Sequence, residues 1–222
     1  MSKTILVVAA HSDDEALGCA GTISKHVNAG DAVHMLYMTD GVGSRYMSDV
    51  ETEQRKVSSQ MACSILGVMS VNSFDFPDNK MDSVPLLDIT QAIETVIDKI
   101  QPEIIYTHHI GDLNIDHEIT HKAVLTASRP QPGFSVNEIY SFEVLSSTEW
   151  QTPGYHSFCP DMFVDITDNI EIKKKVLGVY SEEMRQQPHS RSIENSLRLC
   201  EIRGNAIGRK FAEAFMSVRV IR

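Results

Sequence analysis

Cysteine and positive charge are both in short supply in this sequence, and each shortage removes a class of protein. Four cysteines in 222 residues (Cys19, Cys63, Cys159 and Cys200) stand far apart and form no Cys-x-x-Cys pair. That spacing argues against a disulfide framework and a cysteine zinc site, and it points to a reducing, cytoplasmic setting. Lysine and arginine number 20 against 30 aspartates and glutamates, a formal charge of −10. Non-specific nucleic-acid binding needs clustered cations to meet phosphates, so no nucleic-acid partner is expected. The one short basic run, Lys173-Lys174-Lys175, reads as a solvated helix face. No apolar run approaches the ~20 residues of a membrane-spanning helix. Met1-Ser2-Lys3-Thr4 leads straight into an apolar strand, without the charged head and cleavage site of a signal peptide.

What is present is a 42% apolar content in separated runs, with no internal repeat and no low-complexity stretch. The length fits one large α/β domain. Thr4 to Ala10 is continuous, apolar and rich in β-branched residues, as a buried parallel strand should be. Further strands are expected at 32–39, 70–74, 104–107, 138–144 and 162–166. Helical patterns are expected at 15–29, 51–66, 85–100, from 117 to about 128, 169–183 and 192–215, and a long loop at 146–160. Alternation of strand and helix is the mark of a mostly parallel sheet covered on both faces. Ligands of such sheets bind at the carboxyl ends of the strands. Three polar clusters fall at those ends: His11 to Glu15, Asp40 to Arg45, and His108 to His117.

The first cluster, His11-Ser12-Asp13-Asp14-Glu15, puts a histidine and three carboxylates directly after a buried strand. Left unpaired, such a group is costly to bury, and a metal ion neutralises it. Imidazole plus carboxylate with an open position suits a catalytic Zn²⁺. Helix capping by Asp13 or Asp14 explains one carboxylate but neither His11 nor the second aspartate. The second cluster, His108 to His121, again follows a strand, and His117 and His121 are four apart on an expected helix. The His-Glu-x-x-His form of the metalloproteases is absent.

His11-Ser12-Asp13-Asp14-Glu15-Ala16-Leu17-Gly18-Cys19-Ala20-Gly21-Thr22 resembles the His-Pro-Asp-Asp-Glu-x-x-x-Gly-x-Gly-Thr signature of the PIG-L/LmbE-like deacetylases. Asn114-Ile115-Asp116-His117 resembles that family's second motif. Weaker similarity continues through Arg55, Leu66-Gly67-Val68, Phe76-Pro77-Asp78, Pro188-His189-Ser190-Arg191-Ser192 and Ala212-Glu213-Ala214-Phe215, so it spans nearly the whole chain. The resemblance implies a single deacetylase domain over residues 1–222 with a Rossmann-like, doubly wound, mostly parallel sheet. It assigns Zn²⁺ to His11, Asp14 and His117, and the role of general base to Asp13. It implies removal of an N-acetyl group from an N-acetylglucosamine-type sugar or conjugate by a metal-activated water.

Two positions depart from the family pattern. Ser12 replaces a proline, with loop rigidity the expected casualty. Asn114 stands where many members carry a histidine that stabilises the oxyanion, which leaves His108, Asn114 and His189 as candidates for that task. Asp116 is expected to orient a ligand or a catalytic histidine. Arg55 matches a substrate-contacting position, and an exposed helix arginine is the competing reading. His189 belongs to a polar loop able to fold over the site. Asp40-Gly41-Val42-Gly43 lacks the third glycine of a dinucleotide fingerprint and reads as an active-site loop. Two other readings stand beside the sugar deacetylase: a zinc amidase for a thiol conjugate or other non-sugar amide, and a metal-free nucleotide-binding domain. The partner expected is thus a small N-acyl sugar or conjugate, and a homo-oligomer is compatible with the composition.

Overall fold

A computed structural model describes residues 2–39 and 49–222, with side chains from 53 onward in the second stretch. The Asp40 to Arg45 cluster and its glycine loop lie outside the described residues. Seven strands form one sheet: β1 (Thr4–Ala9), β2 (Ala32–Thr39), β3 (Ser70–Phe76), β4 (Ile104–His108), β5 (Glu138–Phe142), β6 (Met162–Asp165) and β7 (Ala212–Val220). Their spatial order is β3-β2-β1-β4-β5-β7-β6. The five from β3 to β5 run parallel, and β7 is antiparallel to both its neighbours.

Central β1 explains its own sequence. Ile5, Val7 and Ala9 enter the core on one face of the sheet, and Leu6 and Val8 enter the core on the other. With both faces covered, the fully buried positions Ile5 to Ala9 are all apolar. The first face is covered by α1 (Asp14–Gly18), α2 (Ala20–Asn28), α3 (Asp49–Leu66) and, later in the chain, Ile170–Val179; the second by α4 (Leu86–Ile100) and α5 (Ile115–Ala127). The chain winds outward from β1 to β3, then returns to β4 on the other side of β1. The crevice at that reversal, between the carboxyl ends of β1 and β4, is where both histidine clusters emerge.

The helix expected over 15–29 is broken at Cys19, whose φ/ψ of −149°/18° is not helical. A Cβ on Gly18 would stand 2.4 Å from the Phe142 ring, so only glycine admits this approach to β5. The break strands carbonyls at the end of α1 and N–H groups at the start of α2. Lys173, on α6 (Ile170–Val179), meets the carbonyls of Ala16 and Leu17 at 3.1 and 2.8 Å. Its Nζ also donates to Glu213 Oε1 at 2.7 Å. The Glu213 carboxylate in turn accepts the Gly21 and Thr22 N–H groups at 3.0 and 2.7 Å. Cation at a helix end and carboxylate at a helix start are the favourable senses for the peptide dipole. Lys173 is therefore buried, unlike Lys174 and Lys175, which are exposed as the basic run led one to expect.

The C-terminal helix is shorter than expected. Helix α7 (Ile193–Asn205) stops, and residues 212–220 form β7 instead of the end of a helix running to Phe215. A Cβ on Gly204 would stand 2.8 Å from the Phe211 backbone, so the chain doubles back tightly here. The β7 register then places Phe215 opposite Phe142 of β5 and Met162 of β6. Among the described residues no helix is long and apolar enough to cross a membrane.

Candidate active site

At the exit of β1, His11 Nδ1, Asp14 Oδ2 and His117 Nε2 form a nearly equilateral triangle. The sides are 3.2 Å between the histidines and 3.3 Å from each histidine to the carboxylate. Bonds of ~2.0–2.1 Å to a tetrahedral ion place ligand atoms ~3.3 Å apart, so these three donors fit one zinc-sized ion. All three residues are buried, yet His11 and His117 also line a cleft of about 260 Å³, which leaves a fourth direction open.

Each histidine is oriented from behind. His11 Nε2 lies 3.1 Å from both Asp78 Oδ1 and Asp116 Oδ2, which in the neutral, ligating form keeps the proton on Nε2 and leaves the lone pair on Nδ1. Asp116 is itself held by the N–H groups of Asn79 and Met81 at 2.6 and 3.0 Å. A second group of potential metal donors, His11, Asp78 and Asp116, is thus better read as the anchorage of His11. His117 Nδ1 lies 3.1 Å from Asp112 Oδ1, which frees Nε2 in the same way. Asp112 receives the Asn114 N–H at 2.9 Å, the Thr148 hydroxyl at 2.6 Å and the Ser147 hydroxyl.

Without a metal, charge compensation falls to protons. Burial favours neutral imidazole at His117, but the Asp14 and Asp112 carboxylates outweigh it and bring the pKa up to about 9. Burial acts the same way on His11, where Asp116, Asp14 and Asp78 prevail and raise it well above the usual value. Asp14 resists its own burial because His117 and His108 hold it well below the ordinary carboxylate range. A dication held by these three side chains could take the place of those protons.

Asp13 is not part of the triangle. Its backbone adopts φ 124°, a conformation that costs a non-glycine residue about 1–3 kcal/mol. The strained peptide is fixed by Glu15, whose Oε2 accepts the Asp13 N–H at 3.0 Å while Tyr180 donates to Oε1 at 2.7 Å. Glu15 thus binds backbone beside the site. The Asp13 carboxylate faces the cleft and accepts from Arg191 Nη1 at 3.1 Å, with Arg55 Nη2 at 3.9 Å. Burial raises its pKa, opposed by Arg191 and reinforced by Asp14.

The structure sorts the remaining candidates. Asn114 caps α5, accepting the Asp116 N–H at 2.9 Å, and lines the cleft with its amide nitrogen 3.1 Å from Asn79 Oδ1. His189 lines the cleft; its Nδ1 accepts the Arg191 N–H at 3.1 Å, so Nε2 carries the proton. His108 lies behind the triangle rather than in the cleft. Its Nε2 accepts the Ala10 N–H at 2.8 Å, its ring stacks on His117 at 3.9 Å, and no part of it is exposed. Burial and the neighbouring His117 lower its pKa to about 4, so it offers neither charge nor a free proton to the cleft. Of the three oxyanion candidates His108, Asn114 and His189, the structure places only Asn114 and His189 at the cleft, and the inclusion of His108 is corrected on that ground. Arg55 is no exposed helix arginine: it donates to Glu183 at 2.7 Å, to the Ser12 carbonyl at 3.0 Å and to the Ser12 hydroxyl at 3.2 Å. The serine that replaces proline thus gives Arg55 a grip on the Asp13 loop.

Asp112, Glu183, Arg191 and Trp150 carry parts of the site that received no role from sequence. Asp112 lay inside a quoted cluster, five residues before His117, and that proximity was the available signal. Arg191 stood without a role in the quoted Pro188-His189-Ser190-Arg191-Ser192 stretch, and Trp150 comes from a distant segment that no local pattern marks.

Residues 6–128, more than half of the chain, match the family described as GlcNAc-PI de-N-acetylase, PIG-L. The chain belongs to this family. It is similar to the diacetylchitobiose deacetylase of Thermococcus kodakarensis, 26% identical over 86% of this chain and 76% of the relative. It is also similar to the 4-oxalmesaconate hydratase of Pseudomonas putida, 28% identical over 74% of this chain and 68% of that protein. In fold it resembles the N,N'-diacetylchitobiose deacetylase from Pyrococcus horikoshii solved with its inhibitor MPG, with a TM-score of 0.79 at 21% identity, covering 98% of this chain and 84% of that one.

Proposed function

We propose that this PIG-L family member is a Zn²⁺-dependent hydrolase that removes the N-acetyl group from an N-acetylglucosamine-type sugar or sugar conjugate. The observation that carries the reading is a separation of tasks between adjacent aspartates. Asp14 turns into the triangle with His11 and His117, while Asp13 faces the open cleft. Zn²⁺ held by the triangle would supply Lewis acidity towards the amide carbonyl. Asp13 takes the proton of the water that attacks the acetyl carbon, and returns it to the nitrogen as the C–N bond breaks. Acetate and a free amine result. Arg191 keeps the Asp13 carboxylate aimed, and Asn114 and His189 supply hydrogen-bond donors for the oxygen that becomes negative.

The cleft supports a sugar over an apolar amide. Trp150 is its one apolar side chain among the described lining residues, and the rest are charged or polar. A polyhydroxylated ring satisfies such a wall, whereas an aliphatic amide leaves it unpaired. The names of the deacetylase relatives, which act on diacetylchitobiose, favour the same reading. The hydratase relative supplies a second one, since its name describes the addition of water without amide cleavage. The test is a panel of N-acetylated sugars, their conjugates, N-acyl thiol conjugates and unsaturated acids, assayed for released acetate and for hydration. Acetate release from sugars, lost in Asp13→Asn, is expected. Hydration alone, or turnover of non-sugar amides alone, would replace this reading.

A further inference from the structure

The chemistry above uses the inner part of the cleft and leaves Trp150 and Arg185 unassigned at its wall. The other two arginines there are each committed to a carboxylate, Arg55 to Glu183 at 2.7 Å and Arg191 to Asp13 at 3.1 Å. Arg185 is exposed and has no carboxylate partner among the described residues; its Nη1 donates only to the Glu182 carbonyl at 3.2 Å. The segment that presents it is built rather than loose. The Arg185 N–H bonds the Arg191 carbonyl at 3.0 Å, and the His189 N–H bonds the Gln186 carbonyl at 3.1 Å. Residues 185–191 include no acidic side chain, so Arg185, His189 and Arg191 reach the cleft from a wholly non-acidic loop. Trp150 is 52% exposed while its ring meets His189 edge-on, 5.5 Å between centroids.

The cleft also holds the carboxylates of Asp13, Asp78 and Glu183, but these face Arg191, His11 and Arg55, so among the described residues the Arg185 guanidinium is the cation there without a carboxylate, on a chain of net charge −10. An anion is repelled by the surface at large and attracted here. Guanidinium matches the two oxygens of a carboxylate or phosphate in a planar fork. We propose that Arg185 forms an anion subsite, with Trp150 as the aromatic wall, for a carboxylate or phosphate carried by the group attached to the N-acyl sugar. This rests on the deacetylase reading and narrows its substrate class from neutral sugars to anionic sugar conjugates.

Calorimetry on the metal-loaded protein tests it with four probes. These are the uncharged methyl glycoside of N-acetylglucosamine, its carboxymethyl glycoside, N-acetylglucosamine 1-phosphate and N-acetylglucosamine 6-phosphate. At least one charged probe is expected to bind about tenfold or more tightly than the methyl glycoside, as a charge-assisted bidentate contact allows. The carboxylate and phosphate arms show which anion is meant. Arg185→Gln should bring that ratio towards one, Arg185→Lys should restore part of it, and raised salt should shrink it in the wild type. Trp150→Ala should weaken charged and uncharged probes alike, by roughly three- to tenfold. A charged probe that binds no better than the methyl glycoside overturns the subsite. So does an advantage that survives Arg185→Gln, because a phosphate contact with the metal would persist there. If no N-acetyl sugar is turned over at all, the deacetylase reading itself fails, which acetate release reports separately from these ratios.

Discussion

Arg191 Nη1 donates to Asp13 Oδ2 at 3.1 Å across 178 residues of sequence, and the same guanidinium reaches Ser146 Oγ through Nε at 2.8 Å. One arginine thus ties the Asp13 loop to the turn after β5 and fixes the rotamer of the proposed base. Arg191→Ala should lower kcat by roughly 10- to 100-fold while metal content stays unchanged, and Asp13→Asn by ~10²–10⁴-fold. Turnover of an N-acetyl sugar, normalised to bound metal, is the measurement. Normal kcat in Asp13→Asn would move the base elsewhere.

The oxyanion task should divide between Asn114 and His189. Both line the cleft, and His108 does not. Removal of one such donor costs on the order of 10²–10³ in kcat. Asn114→Ala and His189→Ala should each reduce kcat more than KM at constant metal content. His108→Ala should act through its stacking partner His117, and therefore reduce metal affinity. A His108→Ala protein with full metal and crippled kcat would restore His108 to the cleft.

Metal binding should expel about two protons near pH 7. In the metal-free protein His117 titrates at about 9 and His11 is also raised, so both are protonated at neutral pH and must give up protons to ligate. Affinity should rise with pH through the neutral range, and the slope should ease as His117 deprotonates near pH 9. Calorimetric titration in buffers of differing ionisation enthalpy counts the protons. Asp112→Asn and Asp116→Asn should each weaken metal binding by ~10–100-fold without removing a ligand. An affinity that ignores pH would show that the triangle is not the site.

Glu15 should make the fold lose stability as pH rises from acid to neutral. Burial lifts its pKa from 4.5 to about 7, only partly opposed by the bonds from Tyr180 and the Asp13 N–H. A carboxyl raised on folding favours the native state while protonated. Its contribution is fully present below pH 4.5 and is lost as pH rises through about 7, by up to ~1.4 kcal/mol per unit. Glu15→Gln keeps an acceptor for the Asp13 N–H and cannot ionise. Its melting temperature relative to wild type should therefore improve between pH 5 and 8, which thermal melts across that range would show. A constant difference would mean that Glu15 does not ionise there.

Much of this protein was legible without coordinates, because local chemistry and strand topology speak through short stretches of sequence. The buried stretch Ile5 to Ala9 of β1 is apolar because both of its faces are covered, and a His-Asp-Asp cluster after such a strand cannot remain buried without a counter-charge. Hence the mostly parallel sheet and the polar clusters at its strand ends could be read in advance, and the resemblance to the deacetylase family singled out His11, Asp13, Asp14 and His117; that β1 and β4 flank one crevice came only from the strand order. Tertiary structure decided what depends on distance in sequence. Cys19 interrupts a helical pattern because Phe142 crowds Gly18, and Lys173 and Glu213, 40 residues apart, compensate the break. Residues 212–220 become a strand because an edge lay open between β5 and β6, and helical propensity yields to that pairing. His108 falls behind the triangle because Ala10 claims its nitrogen, while Arg191 and Trp150 reach the cleft from loops with no periodic signature. Side chains that chelate from one turn of chain leave a motif; side chains that meet only after folding do not.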